Sequence, residues 1–294
     1  MKILTIDGNN LVHRVYWVAD NMKHKADNMH VYMFLNSVRS YVDQFKPDKV
    51  FCAWDEKPDG LPNKRKELLK EYKGNRDQER NQVVHTKNDI IKKLLTSMGV
   101  PSIFPQRYEA DDVIKIIDQY MDKEARSQFY KTRQHYKHVI VTVDKDLCQL
   151  ISNKVSVYDP IKKIEITEDN FKEVLKYSHA DFIKVKALTG DKSDNIPGIK
   201  GMGKVKVGNY LAGRYKLTDK EQELYEKNVQ LVTLTSDKDE VAYVRSQLAR
   251  QNYNTNWETF LSTCKELKFE QIIKHEAKWY SAFFQKNRLE EILS

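Results

Sequence analysis

Short apolar runs alternate with helically spaced segments through the first half of the chain. Lys2-Ile3-Leu4-Thr5-Ile6 reads as a buried strand that stops at Asp7-Gly8-Asn9-Asn10. A helix is expected from about Leu11, and another from Val31 to Phe45. Lys49 to Trp54 is a second strand, stopping at Asp55. The segment from Glu56 to Lys87 is polar and strongly charged, and Pro58, Gly60, Pro62 and Gly74 keep its first part from being one clean helix. Helical spacing resumes at Ile90-Ile91 and Leu94-Leu95, and Val100 to Phe104 is a candidate strand interrupted by Pro101. Glu109-Ala110-Asp111-Asp112 opens a helix that runs through Val113, Ile114, Ile116, Ile117 and Tyr120. A polar connector is expected from Arg126 to Lys137. His138 to Val143 is then the clearest buried strand, stopping at Asp144-Lys145-Asp146. Val155 to Tyr158 and Lys163 to Ile166 are placed to pair as a hairpin around Asp159-Pro160.

Strands alternating with helices imply an α/β fold with a mainly parallel central sheet flanked by helices. In such sheets ligands bind outside the carboxyl ends of the strands, where Asp7, Asp55, Asp144 and Asp146 would converge. After about Thr167 the pattern becomes helix upon helix, which divides the chain into residues 1–166 and a helical part, 167–294. Helices are expected at Phe171 to Lys176, Ala180 to Leu188, after a glycine-rich turn, and from Glu221 to Leu234. Asn252 to Asn256 reads as a connector, with short amphipathic helices from Trp257 onward. No internal repeat or low-complexity tract interrupts this order.

Composition narrows the picture. With 294 residues, 40% hydrophobic and 31% charged, the chain is a globular protein rather than a disordered one. A net charge of +8 favours a polyanionic partner. Three scattered cysteines, Cys52, Cys148 and Cys264, form neither a disulfide framework nor a zinc spacing, which fits a reducing compartment. No apolar run has membrane-spanning length and no signal peptide precedes the first strand, so a cytoplasmic protein is expected.

The candidate chemistry lies in carboxylates at predicted element ends: Asp7, Asp55, Glu109, Asp111, Asp112, Asp144, Asp146, Asp191 and Asp194. Each taken alone reads equally as a turn, capping or helix-start residue. Together they are too many for a general acid/base pair, and like charges so packed stay ionised only beside cations. Hard oxygen donors suit Mg²⁺ or Mn²⁺. Two such ions, about 3.5–4 Å apart, can activate water and stabilise a leaving oxygen in phosphodiester cleavage.

Two basic stretches complement the acids. Leu61 to Arg76 holds six basic and two acidic residues. Within it, Lys73 and Arg76 are spaced to hold a phosphate, and Tyr72 either stacks on a base or simply packs. The stretch Gly190 to Lys206, G-D-K-S-D-N-I-P-G-I-K-G-M-G-K-V-K, joins Asp191 and Asp194 to a turn carrying Gly198, Lys200, Gly201, Gly203, Lys204 and Lys206. The glycines would permit positive φ and close approach to a ligand, and the following helix would direct N–H groups at phosphate. The alternative is an ordinary glycine-rich connector. From Gly198 to Leu217 there are five basic residues and no acid, a surface suited to duplex backbone without regard to sequence.

Six motifs in order, I-D-G-N-N (6–10), A-W-D (53–55), E-Y-K-G-N-R (71–76), Y-E-A-D-D (108–112), V-T-V-D-K-D (141–146) and T-G-D-K-S-D-N-I-P-G-I-K-G-M-G (189–203), resemble those of the structure-specific 5′ nucleases. That family includes the 5′-nuclease domain of bacterial DNA polymerase I and free-standing bacteriophage flap endonucleases. The resemblance implies a PIN-like α/β domain at 1–166, with a helical arch at about 56–87. A helix–three-turn–helix DNA-binding element at about 180–215 would lie within the helical part. It implies Asp7, Asp55, Glu109, Asp111 and Asp112 around one metal ion, and Asp144, Asp146, Asp191 and Asp194 around a second. Lys73 and Arg76 would serve the scissile phosphate, and K⁺ would bind at the glycine turn. The implied activity is divalent-metal-dependent 5′-3′ exonuclease and flap endonuclease cleavage, on DNA with 5′ flaps, 5′ overhangs or RNA primers. The implied setting is replication and repair in the cytosol of a bacterium or a phage-infected host. A free-standing monomer is expected, with replication proteins as potential partners. A small four-acid RNA nuclease would lack the glycine turn, and a non-catalytic junction binder would have lost acids that are all present here.

Overall fold

A computed structural model describes residues 1–22, 27–75, 83–132, 135–251 and 253–284. One six-stranded sheet runs through the middle in the order β3-β2-β1-β4-β5-β6. Its strands are β1 (Lys2–Asp7), β2 (Lys49–Ala53), β3 (Ser102–Ile103), β4 (Lys137–Val141), β5 (Val155–Asp159) and β6 (Ile164–Ile166). Every pairing is parallel except β5 with β6, so the sheet is mixed but mostly parallel. The chain works outward from β1 in one direction through β2 and β3, then in the other through β4, β5 and β6. The β1–β4 boundary is therefore the switch point at which a parallel sheet opens a crevice.

The helices, in chain order, are α1 (Gly8–Asp20), α2 (Met29–Phe45), α3 (Arg65–Leu68), α4 (Asn88–Ser97), α5 (Ala110–Thr132), α6 (Phe171–Leu175), α7 (Phe182–Thr189), α8 (Lys204–Leu211), α9 (Asp219–Val232), α10 (Lys238–Ala249), α11 (Trp257–Glu266), α12 (Glu270–Lys274) and α13 (Glu276–Phe283). They cover both faces of the sheet, which explains why its central strands read as continuous apolar runs. Along β1 the side chains alternate between faces. Leu4 and Ile6 join a core with α1, α2 and α4, which Phe260 of α11 and Trp279 of α13 complete. Ile3 joins the other core, with Ile114 and Ile117 of α5 and with Val244 and Leu248 of α10.

Several boundaries differ from the sequence expectation for identifiable reasons. Helix α1 starts at Gly8 rather than near Leu11, because Asp7 itself is the N-cap and accepts from Asn10 N–H at 3.0 Å. Strand β4 ends at Val141 rather than Val143, where Thr142 turns its hydroxyl toward Asp7. Helix α5 continues to Thr132 through the expected polar connector, since the run Lys123-Glu124-Ala125-Arg126 favours helix without needing apolar spacing. Helix α10 has no counterpart among the helices expected from the sequence. Its buried positions are only Glu240, Val244 and Leu248, and an acid in that stripe hides the periodicity. Glu240 is buried because its two oxygens accept the Gln106 and Arg107 N–H groups, each at 2.8 Å.

Candidate active site

The acids gather where the strand geometry puts them, at the carboxyl ends of β1, β2 and β4. Asp7 ends β1, and its two oxygens accept from Asn10 N–H (3.0 Å) and from the Thr142 hydroxyl across the switch point (2.8 Å). Gly8 lets this corner form: a Cβ there would lie 2.8 Å from the Ala53 carbonyl oxygen and from Cys52 Sγ. Asp55 follows β2. Its N–H donates to Asn9 Oδ1 at 2.9 Å, and its Oδ1 caps the first turn of α5 by accepting Ala110 N–H at 2.8 Å. Asp144 follows β4 and accepts Asp146 N–H at 2.8 Å, opening a short 3₁₀ helix (Lys145–Leu150).

A tight hairpin brings in the last two acids. Asp191 and Ile196 exchange backbone hydrogen bonds of 2.9 and 2.8 Å. Asp191 Oδ1 accepts Ser193 N–H at 2.8 Å and the Ser193 hydroxyl at 2.5 Å. This hairpin locks onto the segment that carries Lys73. Lys73 N–H donates to the Asp194 carbonyl (3.0 Å), Asn75 to the Lys192 carbonyl (2.9 Å), and Asn195 to the Glu71 carbonyl (2.8 Å).

Electrostatics divide the nine acids. Burial, with repulsion from Asp55 and Asp144, pushes the Asp7 carboxyl up to about 7 despite its two hydrogen bonds. Burial and repulsion from Asp144, Asp7 and Asp146 hold Asp111 well above the usual carboxylate range. Asp146 is pushed up to about 6 by burial and by Asp144, even though the Lys186 ammonium is hydrogen-bonded to it. Glu109 behaves oppositely. Burial would raise it, but Lys73 and Arg65 outweigh burial and hold it at about 2. Its carboxylate is gripped by four side chains from one segment: Asn63 (3.0 Å), Tyr72 (2.8 Å), Lys73 (2.5 Å) and Arg65 (3.4 Å). Asp191 also sits at about 2, where bonds from Ser193 and Lys186 (2.9 Å) overcome burial.

Asp112 faces away from the crevice, its oxygens 2.7 and 2.9 Å from the forked guanidinium of Arg65. Tyr72 is not presented for base stacking. Its ring is buried with Ala187, Ile196, Leu231 and Val232, and its hydroxyl lies between Glu109 and Asp194, 3.1 Å from the latter. Arg76 lies outside the described residues, as does part of the expected arch.

In the glycine turn, Gly201 alone takes a positive φ (75°), while Gly203 is extended and open to solvent. Gly198 is required by packing: a Cβ there would lie 2.2 Å from the Thr189 carbonyl oxygen. Ile199, Met202 and Val207 anchor the turn in an apolar cluster with Val185 and Leu188. Lys200, Lys204 and Lys206 stand exposed beside it.

Arg65, Lys186 and Thr142 were not singled out from the sequence. Arg65 is one cation in the run Lys64-Arg65-Lys66 and looks like a solvated charge. Lys186 is one of two lysines in Ile183-Lys184-Val185-Lys186. Only Thr142, a hydroxyl interrupting a buried strand, offered a signal.

Among the described residues, no three His, Cys, Asp or Glu groups converge closely enough to hold an ion as they stand. Lys73 and Lys186 ammonium groups lie among the carboxylates, on Glu109 and Asp194 and on Asp146 and Asp191. The donor set is nonetheless all oxygen, and in Asp7, Asp111 and Asp146 burial and neighbouring carboxylates outweigh the local positive charge. It fits a hard divalent cation.

Fold and site together define an α/β protein with an oxygen-rich acidic crevice beside an exposed basic turn. Residues 2–176, more than half of the chain, match the family described as 5′-3′ exonuclease, N-terminal resolvase-like domain. The chain belongs to this family. It is 33% identical over 211 residues to a 5′-3′ exonuclease of Mycoplasmopsis pulmonis, covering 71% of this chain and 66% of that one. It is 31% identical over 232 residues to a 5′-3′ exonuclease of Bacillus subtilis, covering 74% and 72%. Against DNA polymerase I of Lactococcus lactis subsp. cremoris it is 29% identical over 271 residues, spanning 85% of this chain but 28% of that longer protein. In fold it resembles the bacteriophage T5 flap endonuclease in a complex with DNA and metal ions, with a TM-score of 0.64 at 19% identity over 85% of this chain and 98% of that one. T5 5′-exonuclease with bound zinc ions gives a TM-score of 0.61 at 19% identity, covering 91% and 98%. Among the described residues no helix is long and apolar enough to cross a membrane.

Proposed function

We propose that this member of the 5′-3′ exonuclease family is a divalent-metal-dependent, structure-specific nuclease. It hydrolyses DNA phosphodiesters near single-strand/duplex junctions, with both 5′-3′ exonuclease and flap endonuclease activity. The observation that carries the proposal is the carboxylate excess at the β1–β4 switch point: Asp7, Asp111 and Asp146 are all raised by burial and by repulsion from neighbouring carboxylates, Asp144 in every case. Asp7, Asp111, Asp144 and Asp146 would hold Mg²⁺, or Mn²⁺ in its place, with Asp55, Asp191 and Asp194 at the margins. Such ions, when bound, supply charge neutralisation and an activated water at the phosphate.

The chain's own groups do the rest. Lys73 is anchored through its N–H to the Asp194 carbonyl, and its ammonium reaches the edge of the crevice at Glu109. There it balances charge developing on a phosphate without acting as a base; Arg76, three residues on, is expected to share that task. The turn at Gly198, Lys200, Gly201, Gly203, Lys204 and Lys206 takes the duplex backbone, as part of a helix–three-turn–helix element formed by α7, the turn and α8. K⁺ is proposed at the carbonyls of this turn. The arch, around residues 56–87, admits the 5′ strand. Substrates are 5′ flaps, 5′ overhangs and RNA primers in replication and repair, handled by a monomer in a bacterial or phage-infected cytosol.

The test is cleavage of an end-labelled 5′-flap substrate with and without Mg²⁺. The expected result is metal-dependent cutting near the junction that leaves a 5′-phosphate and a 3′-hydroxyl. Cutting that persists in excess chelator, or inertness in every divalent ion, would overturn the reading.

A further inference from the structure

Arg65 is the odd member of its segment. Lys66, Glu67 and Leu68 around it are exposed, yet Arg65 is only 5% exposed. Its guanidinium makes a bidentate pair with Asp112, Nη1 to Oδ2 at 2.7 Å and Nη2 to Oδ1 at 2.9 Å. Nε donates to the Leu231 carbonyl at 3.0 Å and Nη2 to the Thr233 carbonyl at 3.3 Å, at the end of α9. Carbonyls there lack partners within the helix, so a cation is doubly suited to them. The remaining capacity of Asp112 is filled by the N–H groups of Thr235 (2.7 Å) and Glu109 (3.2 Å).

The consequence reaches two places. Asp112, fully buried and saturated with donors, has no oxygen left for an ion. The segment that presents Lys73 is also tied to α9, and α9 braces the acid-bearing hairpin. Buried Asn228 of α9 donates to the Ala187 carbonyl at 2.9 Å, in the last turn of α7 that leads into the hairpin, and to the Pro197 carbonyl at 2.7 Å, just after it.

We propose that Arg65 is a positioning residue: it withdraws Asp112 from ion binding and fixes where Lys73 stands relative to the acids and the duplex-binding turn. The proposal rests on the metal-dependent reading above. A lysine would keep the charge but not the planar fork.

The experiment combines Mn²⁺ binding to the DNA-free protein with turnover and duplex affinity on a 5′-flap substrate. Asp112→Asn is expected to bind Mn²⁺ with the parent's stoichiometry, whereas Asp111→Asn loses bound Mn²⁺. Arg65→Lys is expected to lower kcat by about 10- to 100-fold, the scale of a misplaced reacting group, with KM and duplex affinity little changed. Arg65→Met combined with Asp112→Leu removes both charges without orphaning either; with its fold checked by near-ultraviolet dichroism, it is expected to show the same kcat loss with Mn²⁺ binding intact. Loss of bound Mn²⁺ in Asp112→Asn would overturn the first half of the proposal. Parental kcat in Arg65→Lys, or in the folded double variant, would overturn the second. A parent protein that binds no Mn²⁺ at all would overturn the metal-dependent reading itself, a result distinct from these.

Discussion

Asp111 and Asp112 are neighbours in sequence and opposites in environment. One step along an α-helix turns the side chain by about 100°. Asp111 is thereby left to the repulsion of Asp7, Asp144 and Asp146, while Asp112 meets Arg65. The same division runs through the whole crevice. On one side, Glu109 and Asp191 are held at about 2 by lysine, arginine and hydroxyl partners. On the other, Asp7 and Asp146 stand at about 7 and about 6, because burial and neighbouring carboxylates outweigh their hydrogen bonds, the Lys186 ammonium on Asp146 included. Of these six acids, the protein neutralises half, Glu109, Asp112 and Asp191, with its own cations; the other half, Asp7, Asp111 and Asp146, is where the proposed external ion would act. An acidic cluster is thus not a list of ligands, and the unshielded half is where an ion has most to offer.

The sharpest way to break this comparison is to remove an acid from the unshielded half. Asp111→Ala, or loss of the carboxylate that repels that half in Asp144→Ala, should lower the cleavage rate by about 10²–10³-fold or more while junction binding persists. Undiminished turnover in Mg²⁺ would mean the division has no bearing on catalysis. Next in size is Lys73→Ala, which touches the shielded half. Its rate should fall by about 10²-fold with duplex affinity little changed; a larger loss of affinity than of rate would move Lys73 from catalysis to docking.

The third prediction concerns stability without metal. The folded-state pKa of Asp7 is about 7 against an ordinary value of 3.8, so between those values the folded protein binds more protons than the unfolded one. Stability is therefore lost as pH rises through that window. Asp7→Asn should stabilise the metal-free protein at pH 7 by about 1–4 kcal/mol, with the gain vanishing toward pH 4. Thermal melts across that range, with and without Mg²⁺, check it. A gain that does not change with pH would remove the charge argument. The smallest effect is expected at the basic turn: Lys204→Ala with Lys206→Ala should weaken duplex binding and reduce its log–log salt slope by about 2. An unchanged slope would detach the turn from DNA.

Much of the fold could be read from the chain because it rests on uninterrupted apolar runs. The strands at Lys2, Lys49 and His138 and the acids that end them needed no tertiary information. Helix α10 escaped because Glu240 occupies a core-facing position on it, stabilised by two loop N–H groups that no local pattern predicts. The acids are legible as a set for the same local reason, since each lies where an element starts or stops or in a turn beside one. Their division was hidden, because it depends on Arg65 and Lys186, which approach Asp112 and Asp146 from 47 and 40 residues away. Tyr72 teaches the same lesson. Its motif was visible, but its burial is decided by α7 and α9.

The family match ends at Lys176, yet neither layer of the core does. Phe260, Ile272 and Trp279 close one face of the sheet, and Val244 and Leu248 close the other, all from beyond that residue. A fragment limited to residues 2–176 would keep the acids at the ends of β1, β2 and β4 but expose apolar surface on both sides of the strands that hold them. It should bind a hydrophobic dye and lose near-ultraviolet dichroism while keeping much of its secondary structure. The segment that defines the family by sequence is thus shorter than the unit that must fold for its residues to work.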